Sequence, residues 1–119
     1  MTLVASQPLL LHNPRCSKSR AAKAWLEQER ITFIERLYLE DPLTVEELRE
    51  LRQLLDEPAR EWVRKGEDAY KAAGLSANSS DEEHFAAIAA APILLERPIL
   101  VHDGRAAIGR PLERISELV

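Results

Sequence analysis

The chain has 119 residues, 45% hydrophobic and 30% charged, with a formal net charge of −4. That length suits one compact domain with a real core. The negative balance argues against general affinity for nucleic acid or anionic membranes, because phosphate binding draws on surplus Lys and Arg.

A lone cysteine, Cys16, rules out an internal disulfide, and three histidines alone leave structural zinc without an ordinary ligand set. A reducing, cytoplasmic setting is the simplest expectation. The start, "MTLVASQPLLLHN", lacks a basic n-region and its apolar runs are short, so neither a signal peptide nor a membrane span is expected.

Pro8 and the run Leu9, Leu10, Leu11 predict a short buried strand, ended by the turn-forming pair Asn13-Pro14. From Ser17 the period changes. Ala21, Ala22, Trp25 and Leu26 fall on one helical face, with Lys18, Lys23, Glu27 and Arg30 polar around it. "ITFIERLYL" has the β-branched and aromatic content of a second strand, roughly 32–38. Strand, helix, strand predicts a parallel βαβ unit.

Thr44 with Glu47 forms a capping-box pattern ahead of Val45, Leu48, Leu51 and Leu55 on one face. Pro58 is expected to open a further helix carrying Trp62 and Val63, and "GLSANSS" reads as a loop. Ser80 with Glu83 is a second capping box before "HFAAIAAAP". "RPILVHDGRAAIGRP" predicts two short strands around an Asp103-Gly104 turn, and Pro111 a final helix with Leu112, Ile115 and Leu118 on one face. This order, with a thiol at the first strand–helix junction, resembles the thioredoxin-like fold. The expected architecture is α/β, a βαβ half plus a ββα half, with a helical insertion at about 43–91, all in one domain over 1–119.

Cys16 lies among Arg15, Lys18 and Arg20. At an N-cap its sulfur would face the free amides of Ser17, Lys18 and Ser19, which can equally cradle an oxyanion. Such surroundings lower a thiol pKa from about 8.5 into the range of roughly 3.5 to 7.5. A fall to about 6.5 would make thiolate the majority form at neutral pH, for roughly 2.7 kcal/mol of differential stabilisation. Ser17 and Ser19 can also donate hydrogen bonds to a thiolate or an anion. The alternative, a small buried hydrophobe, is the ordinary fate of a lone cytosolic cysteine. The polar, basic surroundings favour a reactive or anion-contacting thiol.

"HNPRCSKSR", residues 12–20, resembles the glutaredoxin-dependent arsenate reductase (ArsC-like) family. "YLEDPLTVEEL", "EWVRKGEDAYKAAGL" and "PILLERPILVHDGRAAIGRP" resemble later parts of that family, so the similarity spans nearly the whole chain and is greatest to a shorter, compact branch. The resemblance implies Cys16 as nucleophile and Arg64, Arg97 and Arg110 as the arginines that bind the anion. It makes His12 and Asn13 part of the family's HNP motif, and Ser19 and Arg20 the residues closing the loop. Pro98 takes the place of a proline, usually cis, that borders the active thiol.

Physical chemistry fits this set. Planar guanidinium groups suit a tetrahedral oxyanion, and neutralising it lowers the repulsion met by an anionic nucleophile. Arg97 and Arg110 each precede a proline, which biases them toward extended backbone. Arg36, Arg49, Arg52, Arg60, Arg105 and Arg114 read as solvated surface cations. His84 and His102 have no partner pattern, and no metal site is assigned.

The implied activity is thiol-dependent reduction of arsenate to arsenite. With one cysteine the chain cannot resolve its own intermediate, so the reductant must come from outside. The resemblance implies glutathione as co-substrate, glutaredoxin as partner and no tightly bound cofactor; a monomer is the expectation, though the sequence itself is silent on oligomeric state. Two other readings stay open. One is a thiol redox enzyme for glutathione mixed disulfides or another oxyanion. The other is an Spx-like regulator that binds RNA polymerase; the second cysteine such proteins commonly use as a switch corresponds to Ser19 here.

Overall fold

Leu9–His12 forms β1, the inner strand of the first half of the sheet, and all four residues are buried. The computed structural model describes Leu3 and residues 7–96, 98–109 and 111–119. β1 pairs in parallel with β2 (Ile34–Leu37), Leu9 opposite Ile34, and antiparallel with β3 (Ile99–His102), Leu10 opposite Leu100. β4 (Arg105–Ile108) pairs antiparallel with β3, which gives the strand order β2-β1-β3-β4. This is the expected βαβ plus ββα arrangement, and the fold is thioredoxin-like.

Alternation along the two inner strands sorts the core into two layers. Leu10 and Leu100 point to one face, where they meet Ala22 and Leu26 of α1 (Ser17–Gln28) and Ile115 of α5 (Glu113–Ser116). Leu9, Leu11, Ile99 and Val101 point to the other. There they meet the helical insertion: α2 (Val45–Leu54), α3 (Asp68–Ala72) and α4 (Asp81–Ala90). Among the described residues no helix is long and apolar enough to cross a membrane.

Both capping boxes form as expected, Thr44 with Glu47 and Ser80 with Glu83. The Asp103-Gly104 turn has positive φ at both positions (52° and 75°), the geometry that a two-residue hairpin needs. α1 ends in a Schellman arrangement. Arg30 takes a left-handed conformation (φ 57°), its amide donates to Glu27 O, and the Ile31 amide donates to Leu26 O.

Three expectations need correction. Pro58 opens no α-helix; it precedes a single 3-10 turn, Ala59–Glu61, because fully buried Trp62 leaves the helical path to stack on Phe85 at 5.7 Å and donate from Nε1 to Glu57 O. Ala21 is exposed, so the buried stripe of α1 runs through Ser19, Ala22 and Leu26. Arg36 is no solvated cation. Its side chain is only 15% exposed and makes a bidentate pair with Glu47, Nη1 at 2.6 Å and Nη2 at 2.9 Å. It also donates to the carbonyls of Asp41 and Pro42, and so ties β2 to the start of α2. Arg49 with Glu82 and Arg52 with Asp81 similarly join α2 to α4.

Gly109, just past β4, is buried, and its amide donates to Pro98 O at 2.8 Å. A Cβ at this position would lie 2.9 Å from Pro98 Cγ and 3.2 Å from Ile115 Cγ2. Gly109→Ala should therefore destabilise the protein by about 1–3 kcal/mol through overpacking, read as a lower midpoint in urea with an unchanged slope.

Candidate functional site

The loop between β1 and α1 is held by short-range hydrogen bonds. The Cys16 amide donates to Asn13 O (3.0 Å), closing a four-residue turn with Pro14 at its second position, where a fixed φ is favourable. Asn13, itself buried, accepts at Oδ1 from the Arg15 amide (3.0 Å), an Asx turn that leads the chain into the helix.

Two side chains of the first helical turns reach back to hold the loop. Ser19 is fully buried; its hydroxyl accepts from the Asn13 amide (3.0 Å) and lies 2.6 Å from His12 Nδ1. Arg20 Nη1 donates to Pro14 O (2.9 Å).

Cys16 is thereby the N-cap of α1, in extended backbone (φ −95°, ψ 126°), with its carbonyl accepting the first intrahelical bond from Arg20. The thiol is half-buried. Ser17 and Lys18 are exposed at the first two helical positions, and the first turn carries no acidic residue. The positive helix end is therefore not neutralised by a carboxylate of its own first turn. Among the described residues no group of three or more His, Cys, Asp or Glu side chains could hold a metal ion.

Burial holds the His12 imidazole below its ordinary pKa. Nearby Glu35 opposes this, while the charges of Lys23 and Arg20 add to it. The neutral ring is thus favoured at neutral pH, and its Nδ1 makes the short contact with Ser19.

Arg64 sits at the edge of the insertion. Its amide donates to Leu94 O (2.8 Å), and the adjoining Val63 bridges Leu95 in antiparallel fashion. This places Arg64 beside the segment that leads into Pro98. Its guanidinium is half-buried and lies 3.1 Å from Glu67, so it is held in an ion pair that leaves further N–H donors available. Arg97 and Arg110 lie outside the described residues. Pro98 is buried, at the head of β3.

With this geometry in hand, comparison with known proteins is decisive. The model of the ArsC family matches residues 11–118. The chain belongs to the ArsC family. An arsenate reductase of Neisseria meningitidis is 43% identical over 112 residues, covering 92% of this chain and 96% of the relative. The solved structure of an arsenate reductase from Vibrio cholerae superimposes with a TM-score of 0.90 at 42% identity, covering 98% of this chain and all of that one. A global transcriptional regulator, Spx 2 of Bacillus cereus, is 30% identical over 112 residues, 93% of this chain and 86% of the relative. The matched span takes in both the loop motif and the insertion.

Residue patterns alone did not point to Asn13 Oδ1 as the organiser of the turn, nor to Gly109 as a spacer against Pro98. An Asn directly before Pro was the available signal for the first. The second depends on contact between residues eleven positions apart.

Two measurements test the loop. Ser19→Ala removes the partner of two buried groups and should cost about 1–3 kcal/mol of stability, more than a typical surface substitution. The His12 ring should titrate below 6.5 in NMR of the folded protein, while the unfolded chain titrates near 6.5. Since the unfolded state then binds more protons, this contribution is present above pH 6.5 and is lost as pH falls through the folded value.

Proposed function

We propose that the chain is a cytoplasmic, monomeric arsenate reductase built as a single domain, with Cys16 as nucleophile and glutathione and glutaredoxin as reductants. The observation that carries this reading is the placement of Cys16 at the N-cap of α1, in a loop pinned by Ser19 and Arg20 and free of acidic residues in the first helical turn. The arsenate reductases of Neisseria meningitidis and Vibrio cholerae, similar over nearly the full length, support it.

In this mechanism the Cys16 thiolate attacks arsenic(V) and displaces one oxygen as water, forming a sulfur–arsenic bond without change of oxidation state. Amides of the first turn of α1, with Arg64, Arg97 and Arg110, offset the negative charge of the oxyanion. Glutathione displaces a second oxygen as water. The glutaredoxin thiolate then attacks the glutathione sulfur, and a disulfide forms as the sulfur–arsenic bond breaks. Its electron pair stays on arsenic, which becomes arsenic(III). Water cleaves the remaining bond to Cys16, returns its thiol and releases arsenite. His12, neutral and held to Ser19, keeps the loop in register without adding charge.

The relationship to Spx 2 keeps a regulatory reading in view. Ser19 in place of a second cysteine removes the internal disulfide switch, and its buried hydroxyl is committed to the loop. Capture of RNA polymerase subunits by the purified chain would favour that reading.

The deciding experiment is turnover with glutathione and glutaredoxin on arsenate, phosphate and a glutathione mixed disulfide. Arsenate should be reduced by the wild type, and Cys16→Ser should lower the rate by at least about a thousandfold, the scale for loss of a covalent nucleophile. Arsenate turnover equal in the two proteins would refute the mechanism, and turnover of the disulfide alone would assign the enzyme to that substrate.

A further inference from the structure

A recess borders the Cys16 loop on the side away from β3. It encloses about 200 Å³ between Pro14 and Arg15 of the loop and Leu37, Leu39 and Glu40 at the end of β2. Leu39 is one of three large hydrophobic side chains exposed among the described residues. Arg15 and Glu40 are both exposed, and neither makes an ion pair with another described residue. The two cations of α2, Arg49 and Arg52, are by contrast each paired with a carboxylate.

Buried His12 and Asn13, half-buried Leu37 and exposed Leu39 line it together with one open cation and one open anion, a set poorly matched to a multiply charged oxyanion, which Glu40 would repel. It matches a small zwitterion, whose ammonium and carboxylate are separated by a few bonds and whose carbon chain can lie on Leu37 and Leu39. Its position matters as much as its chemistry. The chain has one thiol, so the second must be supplied by a molecule seated within reach of Cys16, and the wall of this recess is the loop that ends in Cys16.

We propose that this recess seats the γ-glutamyl head of the attacking tripeptide thiol, its α-carboxylate on Arg15 and its α-ammonium on Glu40, with the cysteinyl part extending toward Cys16. The proposal rests on the reading of Cys16 as a nucleophile served by an external thiol. It adds the site at which that thiol is selected. A volume of about 200 Å³ suits one amino-acid head and leaves the rest of the tripeptide outside.

The test uses S-methylglutathione, which cannot exchange with Cys16, titrated into the isotopically labelled full chain. Amide shifts should cluster at residues 12–15 and 37–40. Glu40→Lys should weaken binding roughly three- to tenfold, the scale of one exposed ionic contact, while Glu40→Asp should preserve it. S-methylated cysteinylglycine, which lacks the γ-glutamyl head, should leave these amides unmoved. Shifts confined to the separate groove lined by Leu55, Glu57, Ala106, Ile108 and Arg114, no shifts at millimolar ligand, or equal binding by wild type and Glu40→Lys would each overturn the proposal. Because the readout needs no arsenate, wild-type protein that binds the ligand here yet reduces no arsenate would refute the reductase reading and leave the recess assigned.

Discussion

A single buried hydroxyl organises the loop between β1 and α1. Ser19 Oγ accepts from the Asn13 amide and meets His12 Nδ1, so the last residue of β1, the first of the loop and the first turn of α1 share one atom. All three groups are out of water, and a buried polar atom without its partner costs more than the bond returns when made. The hydroxyl therefore ties the end of β1 and the start of the loop to the first turn of α1, beside the N-cap Cys16. Lowering the His12 pKa by burial belongs to the same design: an uncharged ring can sit beside a helix mouth without competing for an anion.

Arginine has two distinct uses here. Arg36, Arg49 and Arg52 act as struts. They bridge β2 to α2 and α2 to α4, and the first is a bidentate pair, the geometry in which an ion pair counts toward stability. Arg20 spans the loop by a carbonyl instead of a carboxylate, so its positive charge is not cancelled where it stands. That contrast gives a chain of net charge −4 a local positive region at the Cys16 loop.

Much of the architecture was legible because it depends on local rules. Capping boxes, the Asp103-Gly104 turn and the change of period after Ser17 each involve residues a few positions apart, and each forms as read. Readings failed where a distant partner decides. Trp62 abandons a helical path for Phe85, and Arg36 is drawn from solvent by Glu47. Short α3, Asp68–Ala72, has no buried residue and so left no apolar stripe to read. At the site, Cys16 as N-cap was legible from its flanking turn and helix pattern. The recess beside Glu40 was not, because two segments must pair as parallel strands before it exists.

The pairing of β1 with β3 joins Leu10 to Leu100, ninety positions apart in the chain. Each flanking pair, β1 with β2 and β3 with β4, closes a far shorter loop at lower entropic cost. The long closure is also what brings Pro98, the residue before β3, to the sheet whose strand β1 ends at the Cys16 loop. A chain still being assembled therefore lacks the central pairing of its sheet until Ile99–His102 has been made, and its βαβ half must wait without that neighbour.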